Sequence, residues 1–351
     1  MTETRLRDAM PTAIGTPPDA VEPILQVQNL HTHFFTGEGI VHAVDGASFA
    51  VHPGKTLGIV GESGCGKSVA AKSILQIVDK PGRIVDGEIL YTYTDKSGRY
   101  RHENILSLPA DSRQMKSIRG GEISMIFQEP MSSFSPIHTI GNQLTETIRL
   151  HTDMDQRTAR EAAIEWLSRV GIPSPARRVE EYPYQMSGGQ CQRAMIAMAL
   201  STNPRILIAD EPTTALDVTT QAQILNLLQR LQAEQGMAML FITHDLGVIA
   251  EMADQVAVMY MGKVVETGDV RTIFKQPLHP YTVGLMRSIP QMGQAVKERL
   301  TPIPGSVPDP FSVPPGCAFY PRCPAPKKAG CQQEVPLVEI EPGHWVRCTL
   351  Y

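Results

Sequence analysis

Alternating apolar and polar positions open the readable part of the chain. The stretches ILQVQNL (24–30) and VHAVDGASFAV (41–51) carry a two-residue period punctuated by Gly and Asp, and predict an antiparallel sheet. Thr56–Val60 is a short apolar run feeding a Gly-rich turn, with a helical pattern from Ser68 to about Ile77. A mixed stretch continues to about Gln128, and its polar, poorly periodic piece, TDKSGRYRHENILSLPADSRQ, is predicted to lie at the surface. Residues 140–185 read mostly as helix, with breaks at Gly171–Pro175 and Tyr182–Tyr184. From Arg205 strand and helix patterns alternate through RILIAD, QAQILNLLQRLQAEQ, MAMLFIT, LGVIAEMA and QVAVMYMG, which predicts a parallel sheet flanked by helices. Beyond about Lys275 the chain turns Pro-rich and loop-like. These shifts divide it into a flexible leader rich in Thr, Pro and Ala (1–22), a main domain (23–275) and an extension (276–351).

Composition narrows the class. A length of 351 residues suggests about two domains. Hydrophobic residues at 42% and charged residues at 19% suit a globular protein with a sizeable core. The formal charge of −4 advertises no nucleic-acid partner. No stretch approaches the ~18 consecutive apolar residues of a membrane span, and the N-terminus lacks the apolar core of a secretory signal. The expectation is a cytosolic, globular chain. The six cysteines do not make a disulfide scaffold in a chain this long, yet Cys317, Cys323, Cys331 and Cys348 cluster near its end.

Two segments carry phosphate chemistry. Gly61-Glu62-Ser63-Gly64-Cys65-Gly66-Lys67-Ser68 fits G-x-x-x-x-G-K-[ST] between a predicted strand and a predicted helix. Such glycines let successive N–H groups turn inward around a phosphate, and the helix N-terminus adds its positive dipole end. Lys67 would reach the β- and γ-phosphates, and the Ser68 hydroxyl would ligate Mg²⁺. Arg205-Ile-Leu-Ile-Ala-Asp210-Glu211 is an apolar strand ending in two acids. Asp210 at the strand's end can hold Mg²⁺ through water, and Glu211 can orient a water toward the γ-phosphate.

Between these segments lies Met186-Ser187-Gly188-Gly189-Gln190. With it the chain resembles the nucleotide-binding subunits of ABC transporters, Met186 replacing the Leu of their LSGGQ signature. The family's other marks follow in order: Gln128 in MIFQEP, Asp217 in TTALD and His244 in FITHD. The resemblance implies an α/β P-loop NTPase core with an antiparallel β subdomain and a helical subdomain. It implies ATP and Mg²⁺ as cofactors, with Ser68, Gln128 and Asp210 around the metal and Glu211, Gln128 and His244 in hydrolysis. Phe34 or Phe35 would stack on adenine, Phe34 being favoured by its distance from Leu30. The residues Ser187, Gly188, Gly189 and Gln190 would close over the ATP of an opposite subunit, so the chain would be half of a dimer.

His279-Pro280-Tyr281-Thr282 resembles an element of the dipeptide/oligopeptide importer ATPases. In those proteins four C-terminal cysteines hold a [4Fe–4S] cluster. Here the spacing is C-x5-C-x7-C-x16-C, without the paired knuckles usual for zinc, and a structural Zn²⁺ or free thiols stay open as alternatives. Cys65 and Cys191 read as packing residues. The implied partners are a second ATPase chain, a related one being favoured over a second copy, two integral membrane permease subunits and a solute-binding protein. The segment EPMSSFSPIHTIGNQL after Gln128 would face the permease from the cytoplasmic side of the inner membrane. The cargo reads as di- or oligopeptides, with nickel, glutathione, a sugar or an opine as alternatives. A soluble ABC ATPase acting on ribosomes or DNA would usually fuse two nucleotide domains or carry a long coiled coil, and neither pattern is present.

Overall fold

The computed structural model describes residues 22–94, 100–288 and 302–351; the expected leader, apart from Glu22, lies outside them. The first two strands form where alternation predicts them. β1 (Leu25–Phe35) and β2 (Ile40–Val51) pair antiparallel. β3 (Thr56–Val60) leaves for a second sheet, while β4 (Gly82–Thr94) and β5 (Tyr100–Asn104) complete the first in the order β2-β1-β4-β5. The polar piece read as surface therefore contributes strand, although Ile105 and Met115 within and beside it are fully buried. Weak alternation hid the edge strand β5, whose residues 100–102 are all exposed.

The second sheet adds β6 (Ile123–Ile126), β7 (Ile206–Asp210), β8 (Ala238–Ile242), β9 (Gln255–Tyr260) and β10 (Lys263–Asp269). The extension supplies β11 (Val338–Glu341) and β12 (His344–Val346), and the order is β11-β12-β10-β9-β3-β8-β7-β6. Its β9-β3-β8-β7-β6 part is parallel. In β7 the residues Leu207 and Ala209 face one core, shared with the helices, while Ile206 and Ile208 face the other. A strand covered on both faces reads as an uninterrupted apolar run, which explains RILIAD.

The helical part contains Ile140–His151, Gln156–Arg169 and Gly188–Leu200. Thr139 and Asp155 cap the first two by accepting from the amides of Asn142 and Thr158. The loop-like tail also holds a helix, Pro280–Arg287, which His279 caps through Nδ1 and the Tyr281 amide. Buried Glu266 on β10 accepts from the amides of Leu278 and His279 and lies 2.8 Å from His344 Nε2. One carboxylate thus fastens both ends of the extension to the main sheet.

Candidate active site

Parallel register brings the separate motifs to one edge. Ile59 pairs with Ile242, Ile242 with Asp210 and Ala209 with Ile126, so β3, β8, β7 and β6 end side by side. Gly61, His244, Glu211 and Gln128 follow those ends, the place where open α/β sheets hold ligands.

The phosphate loop runs from β3 into the helix Lys67–Ile74. Gly66 has φ 99°, and a Cβ there would lie 2.0 Å from the Ala43 carbonyl oxygen, so no other residue fits. Lys67 is buried, and its Nζ donates to the carbonyls of Gly61 (2.8 Å) and Glu62 (3.2 Å). Ser63 and Gly64 are exposed at the loop tip. Cys65 is buried behind the loop, where burial pushes its thiol pKa up. Cys191 is buried too and donates to the Pro183 carbonyl, so both cysteines pack.

Ser68 Oγ donates to Asp210 Oδ1 at 2.9 Å. Burial raises the Asp210 pKa, with the Ser68 hydrogen bond working against the rise. A hydroxyl beside a desolvated carboxylate is a donor set that suits a hard divalent ion. Glu211 has a left-handed φ of 47°, strained for a side-chain residue. Its Oε2 accepts from Gln128 Nε2 (3.1 Å) and Thr214 Oγ1 (2.9 Å), and its Oε1 lies 3.3 Å from His244 Nδ1. Two of the expected residues, Gln128 and His244, therefore converge on the carboxylate of a third, Glu211. Thr214 was not anticipated, although it lies within TTALD.

The remaining marks lie further along. Phe34 is half-buried with its ring against Gly82, whereas Phe35 is exposed near Arg83. Ser187 and Gln190 form a reciprocal cap at the start of Gly188–Leu200, with Ser187 and Gly188 exposed. Gly189 packs against Thr220, whose amide and hydroxyl both donate to Asp217. The signature and Asp217 are thus neighbours. Those two hydrogen bonds hold the Asp217 carboxyl below its usual range.

Residues 44–214 match the ABC transporter family, and residues 265–331 match the oligopeptide/dipeptide transporter C-terminal region. A Brucella melitensis chain named as a peptide import ATP-binding protein is 48% identical over 333 residues, covering 93% of this chain and 97% of that one. The chain belongs to the ATP-binding subunits of the dipeptide/oligopeptide ABC importer family. A Brucella abortus protein of the same description is also 48% identical, over 93% of this chain and 94% of its own. Among solved structures, the dimeric ATP-binding cassette MJ0796 with ADP and Pi aligns at TM-score 0.60 and 28% identity, covering 70% of this chain and 99% of that one. The cbiO1 subunit of Clostridium perfringens, part of the cbiONQ transporter complex, aligns at TM-score 0.58 and 25% identity, covering 73% and 92%. As an ABC ATPase this subunit binds and hydrolyses ATP with Mg²⁺, dimerises, and works with membrane permease subunits. No described helix is long and apolar enough to cross a membrane.

In this ABC subunit the four tail cysteines line one small cavity, each half-buried. Burial, with neighbouring cysteines adding to it, raises the thiol pKa of Cys317 and Cys348. No three of these sulfurs lie within 4.8 Å of one another; among the described residues only His31, His33 and Asp45 form so tight a group. Tyr281 and Arg322 of the tail reach back to Glu62 in the phosphate loop, and nothing in the sequence spacing announces either contact.

Proposed function

We propose that this ABC subunit powers uptake of di- or oligopeptides through two membrane permease subunits from the cytoplasmic face of the inner membrane. In this reading a solute-binding protein delivers the cargo, and a related ATPase chain is the partner. The name of the Brucella relatives and the match over 265–331 support peptides as cargo. The observation that carries the mechanism is the convergence of Gln128, Thr214 and His244 on Glu211, beside the Ser68–Asp210 pair.

Lys67 and the loop amides of 61–68 hold the β- and γ-phosphates, and Phe34 stacks on adenine. Ser68, Asp210 and Gln128 would hold Mg²⁺, which would supply positive charge to the phosphoryl oxygens. Glu211 accepts the proton of the attacking water; His244 donates to the γ-phosphate and Gln128 orients the water. Ser187, Gly188, Gly189 and Gln190 of one subunit close on the nucleotide of the other, with Asp217 alongside, so hydrolysis opens the dimer. Exposed Met131 and Ile137 in the segment after Gln128 suit contact with the permease.

Cys317, Cys323, Cys331 and Cys348 would hold a [4Fe–4S] cluster. What supports this reading is that all four cysteines line one small cavity. Bound there, the cluster would cross-link the tail and supply a one-electron couple.

The test is ATP-dependent uptake of labelled peptide by vesicles containing this chain with its permease and binding protein. Peptide accumulation that needs MgATP is the expected result. Accumulation of nickel or a sugar, with none of peptide, would overturn the cargo.

A further inference from the structure

We infer that Arg322 of the C-terminal extension is a positioning residue for ATP binding, because it neutralises Glu62 inside the phosphate loop. Glu62 places a carboxylate in the loop that must receive a triphosphate, where an uncompensated negative charge would repel the ligand. Arg322 forks across that carboxylate, with Nη1 at 2.7 Å from Oε2 and Nη2 at 3.1 Å from Oε1. This is the bidentate arrangement in which a guanidinium binds a carboxylate most firmly. The guanidinium side chain is 5% exposed, whereas that of Glu62 is 28% exposed.

The other polar atoms of Glu62 are held as well. Its amide donates to Tyr281 Oη at 2.9 Å, and its carbonyl accepts from Lys67 Nζ. Two residues of the extension therefore fix one side of the loop whose lysine contacts the phosphates. Arg322 is held in turn by the Pro304 carbonyl and the Tyr260 hydroxyl, with its guanidinium near the rings of Tyr260 and Phe319. It ends the short 3-10 turn Tyr320–Arg322, bracketed by Cys317 and Cys323 of the cysteine-lined cavity. The turn between these two cysteines thus carries the counter-charge of the phosphate loop. The inference rests on the reading of residues 61–68 as the nucleotide site.

The test is MgATP affinity of the full-length chain by titration calorimetry, with thermal unfolding measured in parallel. Arg322→Gln is expected to raise Kd about tenfold. Adding Glu62→Gln to that variant should bring Kd back to within about threefold of wild type. Rescue by removing the opposing charge is something a purely structural role would not give. Arg322→Lys keeps the charge without the fork and should weaken binding about threefold; it also reports the role if Arg322→Gln does not fold. Unchanged affinity in Arg322→Gln or, should that variant not fold, in Arg322→Lys would overturn the proposal. So would a double variant as weak as Arg322→Gln. A wild-type chain that binds no MgATP would overturn the nucleotide site and this role together.

Discussion

The nucleotide site takes each of its groups from within a few residues of a strand end, and parallel register assembles them. The tail's contacts with the phosphate loop instead come from Tyr281, on a short helix, and Arg322, on a 3-10 turn, which reach back 219 and 260 positions to Glu62. The first kind of site leaves a local signature, since a phosphate loop needs glycines, a lysine and a hydroxyl at fixed offsets. The second leaves only residue types. Four clustered cysteines stand out in the sequence, but not that the turn between two of them places Arg322 against Glu62 of the phosphate loop.

The sharpest way to break this contrast is His244→Ala. If His244 contacts the γ-phosphate, turnover should fall about 10²–10⁴-fold while MgATP still binds. Steady-state ATPase rates paired with equilibrium binding would show it, and near-normal turnover would remove His244 from the constellation. Next in size is Cys323→Ser. Iron analysis and visible absorption after anaerobic purification should show the cluster lost, with a lower thermal midpoint. Absorbance that survives unaltered would show that these four thiols do not hold the group.

A third test concerns the junction of the two regions. Burial pushes the His279 pKa down to about 4, with Arg347 adding to the shift and Glu266 opposing it. Between that value and the ordinary 6.5, the unfolded chain binds the proton and the folded chain does not, so stability rises with pH across this window. Full stability is present above about pH 6.5, and about 3 kcal/mol is lost as pH falls toward 4. Protonation at Nδ1 would also cost the cap on the Tyr281 amide. His279→Asn, which can still cap, should flatten this part of the pH–stability curve in denaturant titrations. The smallest expected effect is that of Met186→Leu. Met186 is buried at the signature, and a volume-conserving swap there should cost less than about 1.5 kcal/mol and leave ATPase activity within a few-fold.

Much of the fold was legible because its strands are either half-buried, as β1 and β2 are, or covered on both faces, as β7 and β8 are. The helix after the phosphate loop ends at Ile74, before the expected Ile77. β5 escaped because a polar edge strand carries little periodicity, and β12 because three residues cannot show a period. At the site, Gln128, Asp210, Glu211 and His244 were legible from their motifs. Thr214, Tyr281 and Arg322 were not, since their roles come from contacts that only the folded chain makes.

The central claim is that Glu211, gathered with Gln128 and His244, is the base of an ATP-driven dimer. Its most direct test is Glu211→Gln, assayed for turnover and for association with MgATP by size-exclusion chromatography beside the partner ATPase. The account predicts turnover reduced by orders of magnitude with ATP still bound, and a nucleotide-dependent dimer that accumulates. Near-normal turnover would contradict it.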